Sequence, residues 1–196
     1  TSGRYEQQCE RDRSQAEHSF PHRTLGRRSR TAFLPGSAAC SQEIEEGHDE
    51  GGHVGAGIVA GGLAAAEAND VAGAEYVDAC IRAYEICVRL ERAIFAMKDR
   101  INEAVPWLVR DPHSTWTAVG PAVTSALCLQ ASPAALLESF RIAANLAVVS
   151  MHDPYVEGAP SRNFTAGFSA QAGLSAAQAA IAGLEGSRSA IEAVYD

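Results

Sequence analysis

A chain of 196 residues is long enough for one sizeable hydrophobic core, and 46% apolar content is ordinary for a soluble globular protein. A net charge of -8 argues against a nucleic-acid groove, and no apolar run reaches the length of a membrane span. The charge is uneven: residues 1–30 hold seven arginines (4, 11, 13, 23, 27, 28 and 30) against four acids (6, 10, 12 and 17), while the remaining nine basic and twenty acidic residues leave an acidic body of -11.

Thr1 to Pro35 has little hydrophobic periodicity, so it is expected to be a poorly structured Arg-rich segment. It starts at Thr1 rather than Met, as a truncated or misread end would. Its interleaved acids argue against a nucleic-acid-binding arm. From Gly36 the pattern changes, and residues 36–196 are expected to form the folded body. Ser41 to His53 is an acidic, glycine-punctuated loop, followed by a helix of small and aliphatic residues, Ala56 to Ala68. Ala74 to Lys98 carries the longest helical pattern, with Val77, Cys80, Ile81, Tyr84 and Val88 on its inward stripe.

A small-residue helix is expected over Pro121 to Ala131. Ser132 and Pro133 supply an N-cap and an N1 proline for the next, which runs to Ser150 with Leu136, Leu137, Phe140, Ala143, Ala144 and Ala147 inward. Phe164 to Ala182 is another small-residue helix, stopped by Gly183, and Ser187 caps a last segment, Arg188 to Tyr195. No alternating strand pattern appears, so the fold class is all-α, and scarce aromatics with abundant alanine suit closely packed helices. Cys9, Cys40, Cys80, Cys87 and Cys128 form no C-x-x-C pair. Three of them fall in apolar helical patterns, so they read as buried thiols of a reducing, cytoplasmic compartment.

Chemistry-bearing residues gather in a few places. Asp111 to Gly120 sets His113, Ser114, Thr115, Trp116 and Thr117 immediately before a helix start. Helix starts leave backbone N–H groups unpaired, so hydroxyls there can cap the helix or join it in holding an anion, and an imidazole can move a proton near neutral pH. His48-Asp49-Glu50-Gly-Gly-His53 fails as a zinc-protease helix, because its histidines are five apart and paired glycines occupy the face that would ligate, so no metal site is expected. Gly55-Ala-Gly57-Ile-Val-Ala-Gly61 lacks the preceding hydrophobic strand of a dinucleotide fingerprint and reads as close helix packing. Ser161-Arg162-Asn163-Phe164-Thr165-Ala166-Gly167 opens a helix with a guanidinium suited to clamping a carboxylate.

The order of these stretches resembles the MmgE/PrpD family from about Gly36 to Asp196. Four matches carry the resemblance. They are the acidic segment Glu43 to His53; the run Ala66-Glu67, Gly73, Ala79, Tyr84-Glu85 and Arg89; the helix-opening His113-Ser114-Thr115 with Gly120-Pro121; and Arg162 to Gly167 with Gly173, Gly183 and Gly186. Two positions depart from the family pattern. Val54 stands where the family has the proline of His-Pro, and Arg162 and Thr165 replace the lysine and histidine of K-x-x-H-x-G. Arginine keeps the cation but cannot give up a proton near neutral pH.

The resemblance implies a lyase or isomerase, 2-methylcitrate dehydratase-like, acting on a small di- or tricarboxylic acid. Members of that family include cis-aconitate decarboxylase and iminodisuccinate epimerase as well as 2-methylcitrate dehydratase. It implies acid/base chemistry next to a carboxylate with no metal or organic cofactor, and a homodimer. His113 and His53 are then the acid/base residues, with Glu43 and Glu45 their acidic partners, and Arg162, Ser114, Thr115 and Thr165 bind the substrate. Family members are longer and close the site with a lid domain, so the chain is expected to be an incomplete catalytic half with apolar surface left open. A non-catalytic helical interaction protein is the alternative.

Overall fold

The computed structural model describes residues 22–42, 54–96, 99, 100, 103, 118–146 and 157–190. Within them lie six helices, α1 (His22–Ser41), α2 (Gly55–Ala68), α3 (Gly73–Ala96), α4 (Val119–Cys128), α5 (Pro133–Asn145) and α6 (Thr165–Ile181), with a 3-10 turn, Pro160–Phe164, running into α6. No strand occurs among the described residues, so the all-α expectation holds.

Contacts along the helices fix their directions. Ile58 meets Gly120, Gly62 meets Thr124, and the Asn69 Nδ2 donates to the Cys128 carbonyl at 3.0 Å, so α2 and α4 run parallel. Gly57 faces Ala166 and Gly61 faces Ala170, so α6 runs parallel to α2. The other three helices run the opposite way. On α1, Cys40 lies by Arg162 and Gly36 by Ala166. On α3, Ala79 shares a cluster with Cys128 while Cys87 lies against Gly120. On α5, Ala143 and Ala144 pack with Ala118 and Val119, whereas Leu136 packs in the cluster of Val123.

Small residues permit this spacing. A Cβ built on Gly61 would lie 2.8 Å from Pro121 Cβ and 3.3 Å from the Ala170 carbonyl, so α2 lies closely against both parallel neighbours. The Ser125 hydroxyl closes the contact by donating to the Gly61 carbonyl at 3.1 Å. Gly57 and Gly61 therefore serve helix packing, as their sequence context indicates, and the core is mostly alanine, including Ala60, Ala64, Ala122, Ala126, Ala170 and Ala176. Cys40, Cys87 and Cys128 are buried and Cys80 is half-buried, none of the four in a disulfide, while Cys9 lies outside the described residues.

Several expectations need correction. The division at residue 35 fails, because α1 crosses it. Pro35 is exposed, where the missing N–H hydrogen bond and a local bend are tolerated, while Ala32, Gly36, Ser37 and Cys40 bury their side of the helix. In α3, Val77 and Ile81 are 53% and 62% exposed, and the buried stripe is Ala79, Ala83, Cys87 and Glu91. Close approach to α4 admits small side chains on the centre line and pushes larger ones, such as Tyr84 and Leu90, to its flanks. Leu137 of α5 is likewise exposed, and Ala147 to Ser150 lie outside the described residues. α4 begins two residues earlier and ends three earlier than the spacing predicts, and Phe164 belongs to the 3-10 turn rather than to α6. Within the last segment, residues 191–196 also lie outside the described residues.

The three parallel helices end alike. Val71 N–H bonds the Ala66 carbonyl, Ala131 N–H the Ala126 carbonyl and Leu184 N–H the Ala179 carbonyl, each closing a left-handed C-terminal turn. Glycine occupies that turn after α6 (Gly183, φ 94°), but α2 and α4 use Asp70 (φ 48°) and Gln130 (φ 56°). A side chain in this conformation costs about 1–2 kcal/mol, more than the extra unfolded-state freedom of glycine, about 0.4–1 kcal/mol. Gln130→Gly is therefore expected to stabilise the protein by up to about 1 kcal/mol, read as a rise of roughly 2–4 °C in thermal midpoint.

Glu138 ties the segment after α6 to α5. Its Oε2 accepts the Gly186 N–H at 2.8 Å and its Oε1 the Arg141 guanidinium at 2.6 Å. The Gly186 bond first, then Arg141, hold this carboxyl below its ordinary range. A lowered folded-state value means stabilisation that is complete above the unfolded carboxyl's range near pH 4.3 and is lost as pH falls through the folded value. Glu138→Gln should lower the thermal midpoint at pH 7, and the gap should close under acid; a pH-independent gap would exclude the ionised carboxylate as its source.

Candidate functional site

The directions above gather three helix starts at one end of the bundle. Gly57, Pro121 and Ala166 are the third, third and second residues of α2, α4 and α6, and Gly57 lies within van der Waals reach of the other two. Pro121 also meets Gly61, a turn further along α2, and Gly173, about two turns along α6, so α4 begins deeper than both and the end of the bundle is stepped. α1, α3 and α5 finish at this same end. Residues 43–53 thus join the end of α1 to the start of α2, 97–117 join α3 to α4, and 147–159 join α5 to the 3-10 turn that precedes α6.

The electrostatics of this end favour anions. Aligned peptide dipoles leave about half a positive charge at each helix start. No acidic residue lies in the first turn of α2, α4 or α6. Their N-cap residues, Val54, Ala118 and Phe164, make no side-chain capping bond. At the opposite end α5 is capped in the usual way, the Ser132 hydroxyl accepting the Ala135 N–H at 3.2 Å.

Of the residues singled out from the sequence, Arg162 and Thr165 are described, and both stand at the start of α6. Arg162 is half-buried in the 3-10 turn, where its N–H bonds the Ala159 carbonyl at 3.1 Å and its own carbonyl lies 3.9 Å from the Cys40 Sγ of α1. Phe33 of α1 stacks on Phe164 at 5.9 Å and meets Phe168 edge-on at 5.1 Å, fixing the turn against α1. Thr165 is half-buried, one residue into the helix. His53, His113, Glu43, Glu45, Ser114 and Thr115 lie outside the described residues, as do His48, Asp49 and Glu50. Their described neighbours are at the helix-start end: Gln42 follows α1, Val54 is 2% exposed before α2, and Ala118 is 1% exposed before α4.

Two polar residues here escaped the sequence reading. Glu91 of α3 is 1% exposed, four residues beyond Cys87 on the buried stripe. Burial first, then the nearby Glu91 charge, push the Cys87 thiol up to about 12, so Cys87 is a packed thiol and not a nucleophile. Ser37 of α1 is 8% exposed, and its buried hydroxyl, against Gly167, has no hydrogen-bond partner among the described residues. The available signal was spacing: Glu91 continues Ala79, Ala83 and Cys87 in steps of four, and Ser37 follows Phe33 in the same way.

No curated protein and no solved structure matches the chain. A family model does, the one described as the MmgE/PrpD N-terminal domain, over residues 19–195, a span that takes in all six helices and all three segments joined at the helix-start end. The chain belongs to the MmgE/PrpD N-terminal domain family.

Proposed function

We propose that the helix-start end binds a small di- or tricarboxylic acid and supports a lyase or isomerase reaction next to one of its carboxylates, 2-methylcitrate dehydratase-like in type. The observation that carries this reading is that the starts of α2, α4 and α6 lie toward one end of the bundle without side-chain caps or first-turn acids, with Arg162 in the turn that leads into α6. Such an end can hold a carboxylate while charge builds on the adjoining carbon as a proton leaves. Family membership supports the same class of chemistry, with His113 and His53 moving the proton, Glu43 and Glu45 as their partners, and Ser114, Thr115 and Thr165 contacting substrate.

The test is turnover of 2-methylcitrate, citrate and cis-aconitate by the purified chain, with and without a chelator. Conversion that persists under chelation supports metal-free acid/base catalysis, and conversion abolished by it refutes that part of the proposal. Carboxylate binding without turnover reduces the proposal to recognition, and no binding removes it.

One observation favours a second reading, a docking role. Leu34, Phe164 and Phe168 are 63%, 47% and 48% exposed around the α1–α6 contact, an apolar surface suited to association. We propose that it serves a homodimer. Light scattering of the wild type beside Leu34→Asp should show a dimer converted to monomer; a monomeric wild type refutes this.

A further inference from the structure

The turn that carries Arg162 has little of its own to fix it. None of its residues, Pro160 to Phe164, is buried, and neither its N-cap, Ala159, nor that of α6, Phe164, makes a side-chain capping bond. Caps and apolar burial are what usually set a helix start. Among the described elements the turn packs chiefly on α1 and on α6, which continues it. α1 grips it at two points. The Cys40 Sγ lies 3.9 Å from the Arg162 carbonyl, and the Phe33 ring stacks on Phe164, two residues further on.

Phe33 is itself held at the crossing of α1 and α6. A Cβ built on Gly36 would lie 3.0 Å from the Ala166 carbonyl oxygen, and one on Gly167 would lie 2.6 Å from the Phe33 carbonyl oxygen, so the two backbones meet with no side chain between them. From that fixed point the Phe33 ring reaches both ways. It lies 5.9 Å from Phe164 with the planes 14° apart, and 5.1 Å from Phe168, in the first turn of α6, with the planes 66° apart. A stacked and an edge-on contact together set the place and the tilt of Phe164. Because the i→i+3 bonds of a 3-10 turn couple neighbouring residues closely, they set the direction in which Arg162 leaves the turn as well.

We propose that Phe33 is a positioning residue of the carboxylate site: it aims the turn so that the Arg162 guanidinium meets a ligand carboxylate, and it acts only through Arg162. A planar fork holds two carboxylate oxygens only from one direction, so its affinity depends on how the turn is set. Phe33 does not touch the ligand. This role rests on the reading that the helix-start end binds carboxylates with Arg162, and it adds α1 to the elements that build the site.

Citrate titrated calorimetrically into the wild type, Phe33→Leu, Phe33→Tyr, Arg162→Ala and the variant carrying both Phe33→Leu and Arg162→Ala tests it, with thermal midpoints recorded alongside. Phe33→Leu keeps an apolar side chain and loses the ring, so citrate should bind roughly two- to tenfold more weakly, the factor for one aromatic contact. Phe33→Tyr keeps the ring and should bind as the wild type does. In the Arg162→Ala background Phe33→Leu should cost no further affinity, although it should lower the thermal midpoint by the same amount in both backgrounds. Glu138→Gln, destabilised on α5, controls for lost stability alone and should bind citrate like the wild type. Equal weakening by Phe33→Leu with and without Arg162, or a loss shared by Glu138→Gln, makes Phe33 merely structural and overturns the inference. If Phe33→Leu does not fold, Cys40→Ala releases the other grip and should show the same dependence on Arg162. Citrate binding by the wild type that is unchanged in Phe33→Leu, or unchanged in Arg162→Ala, overturns this inference and leaves the helix starts to hold the carboxylate. Absence of citrate binding by the wild type overturns the carboxylate reading itself.

Discussion

Gly173→Ala is expected to lower stability by about 2 kcal/mol even though it places a better helix former inside α6. A Cβ at this position would lie 2.5 Å from the Ala122 nitrogen, 2.5 Å from Pro121 Cβ and 2.7 Å from the Ala118 carbonyl oxygen. Two of these are backbone atoms in the first turn of α4, which cannot rotate away as a side chain could. Replacing a mid-helix glycine by alanine gains about 1 kcal/mol in propensity, while overpacking costs about 1–3 kcal/mol and occasionally more. Contact with rigid backbone puts the cost at the upper end, so packing wins over propensity. For a chain of this size the net loss corresponds to roughly 4–8 °C in thermal midpoint.

Gly73→Ala supplies the control. Nothing lies within 4 Å of a Cβ there, at the first residue of α3, so stability should change by no more than a few tenths of a kcal/mol. Comparable midpoints for the two variants would show that α6 can slide away from α4 and that the close approach is not a fixed feature. Because Gly173 meets α4 at Ala118 and Pro121, a shift there would also open the helix-start end, and Gly173→Ala should weaken citrate binding where Gly73→Ala does not.

How much of this was legible in the residues depended on the signal each element carries. The helical class and most boundaries were, because small-residue runs, the Ser132-Pro133 cap and Gly183 are local signals that tertiary packing did not override. α1 was missed because its buried positions, Ala32, Gly36, Ser37 and Cys40, are small or polar, and because Pro35 looks like a stop. A proline breaks a helix in the core but is tolerated on an exposed face, and exposure is a tertiary property. The inward stripe of α3 was misassigned for a related reason. Hydrophobicity ranks Val77 and Ile81 above Ala79 and Ala83, yet a helix pressed against glycine-rich neighbours selects small side chains at its closest line, so volume decided where hydropathy pointed elsewhere. The order of the segments that carry the candidate residues was legible in the sequence, but the end of the bundle to which they attach was not. That residues 43–53, 97–117 and 147–159 join helix ends on one side follows from alternating helix directions, which no single segment encodes.

Arg162→Ala should weaken citrate binding by about 1.5–3 kcal/mol, the usual range for a hydrogen bond to a charged group, or roughly 10- to 150-fold in affinity. Arg162 stands in the 3-10 turn before α6, held by its backbone bond to Ala159 and the contact with Cys40, while Phe33 anchors neighbouring Phe164. These constraints belong to the backbone and to the adjacent ring, so the turn should stay in place when the side chain is truncated, and the thermal midpoint recorded alongside checks that the fold is kept. Arg162→Lys separates geometry from charge. A lysine keeps the cation but loses the planar fork that holds two carboxylate oxygens at once, so part of the affinity should return and the remainder measures the fork. The family pattern has a lysine there, which can exchange a proton, whereas arginine stays charged across the accessible pH range. If the role at this position is to clamp, Arg162→Lys binds citrate more weakly than wild type at every pH. Citrate affinity unchanged in Arg162→Ala, with the protein folded, would take Arg162 out of the site and leave the helix starts to hold the carboxylate without it.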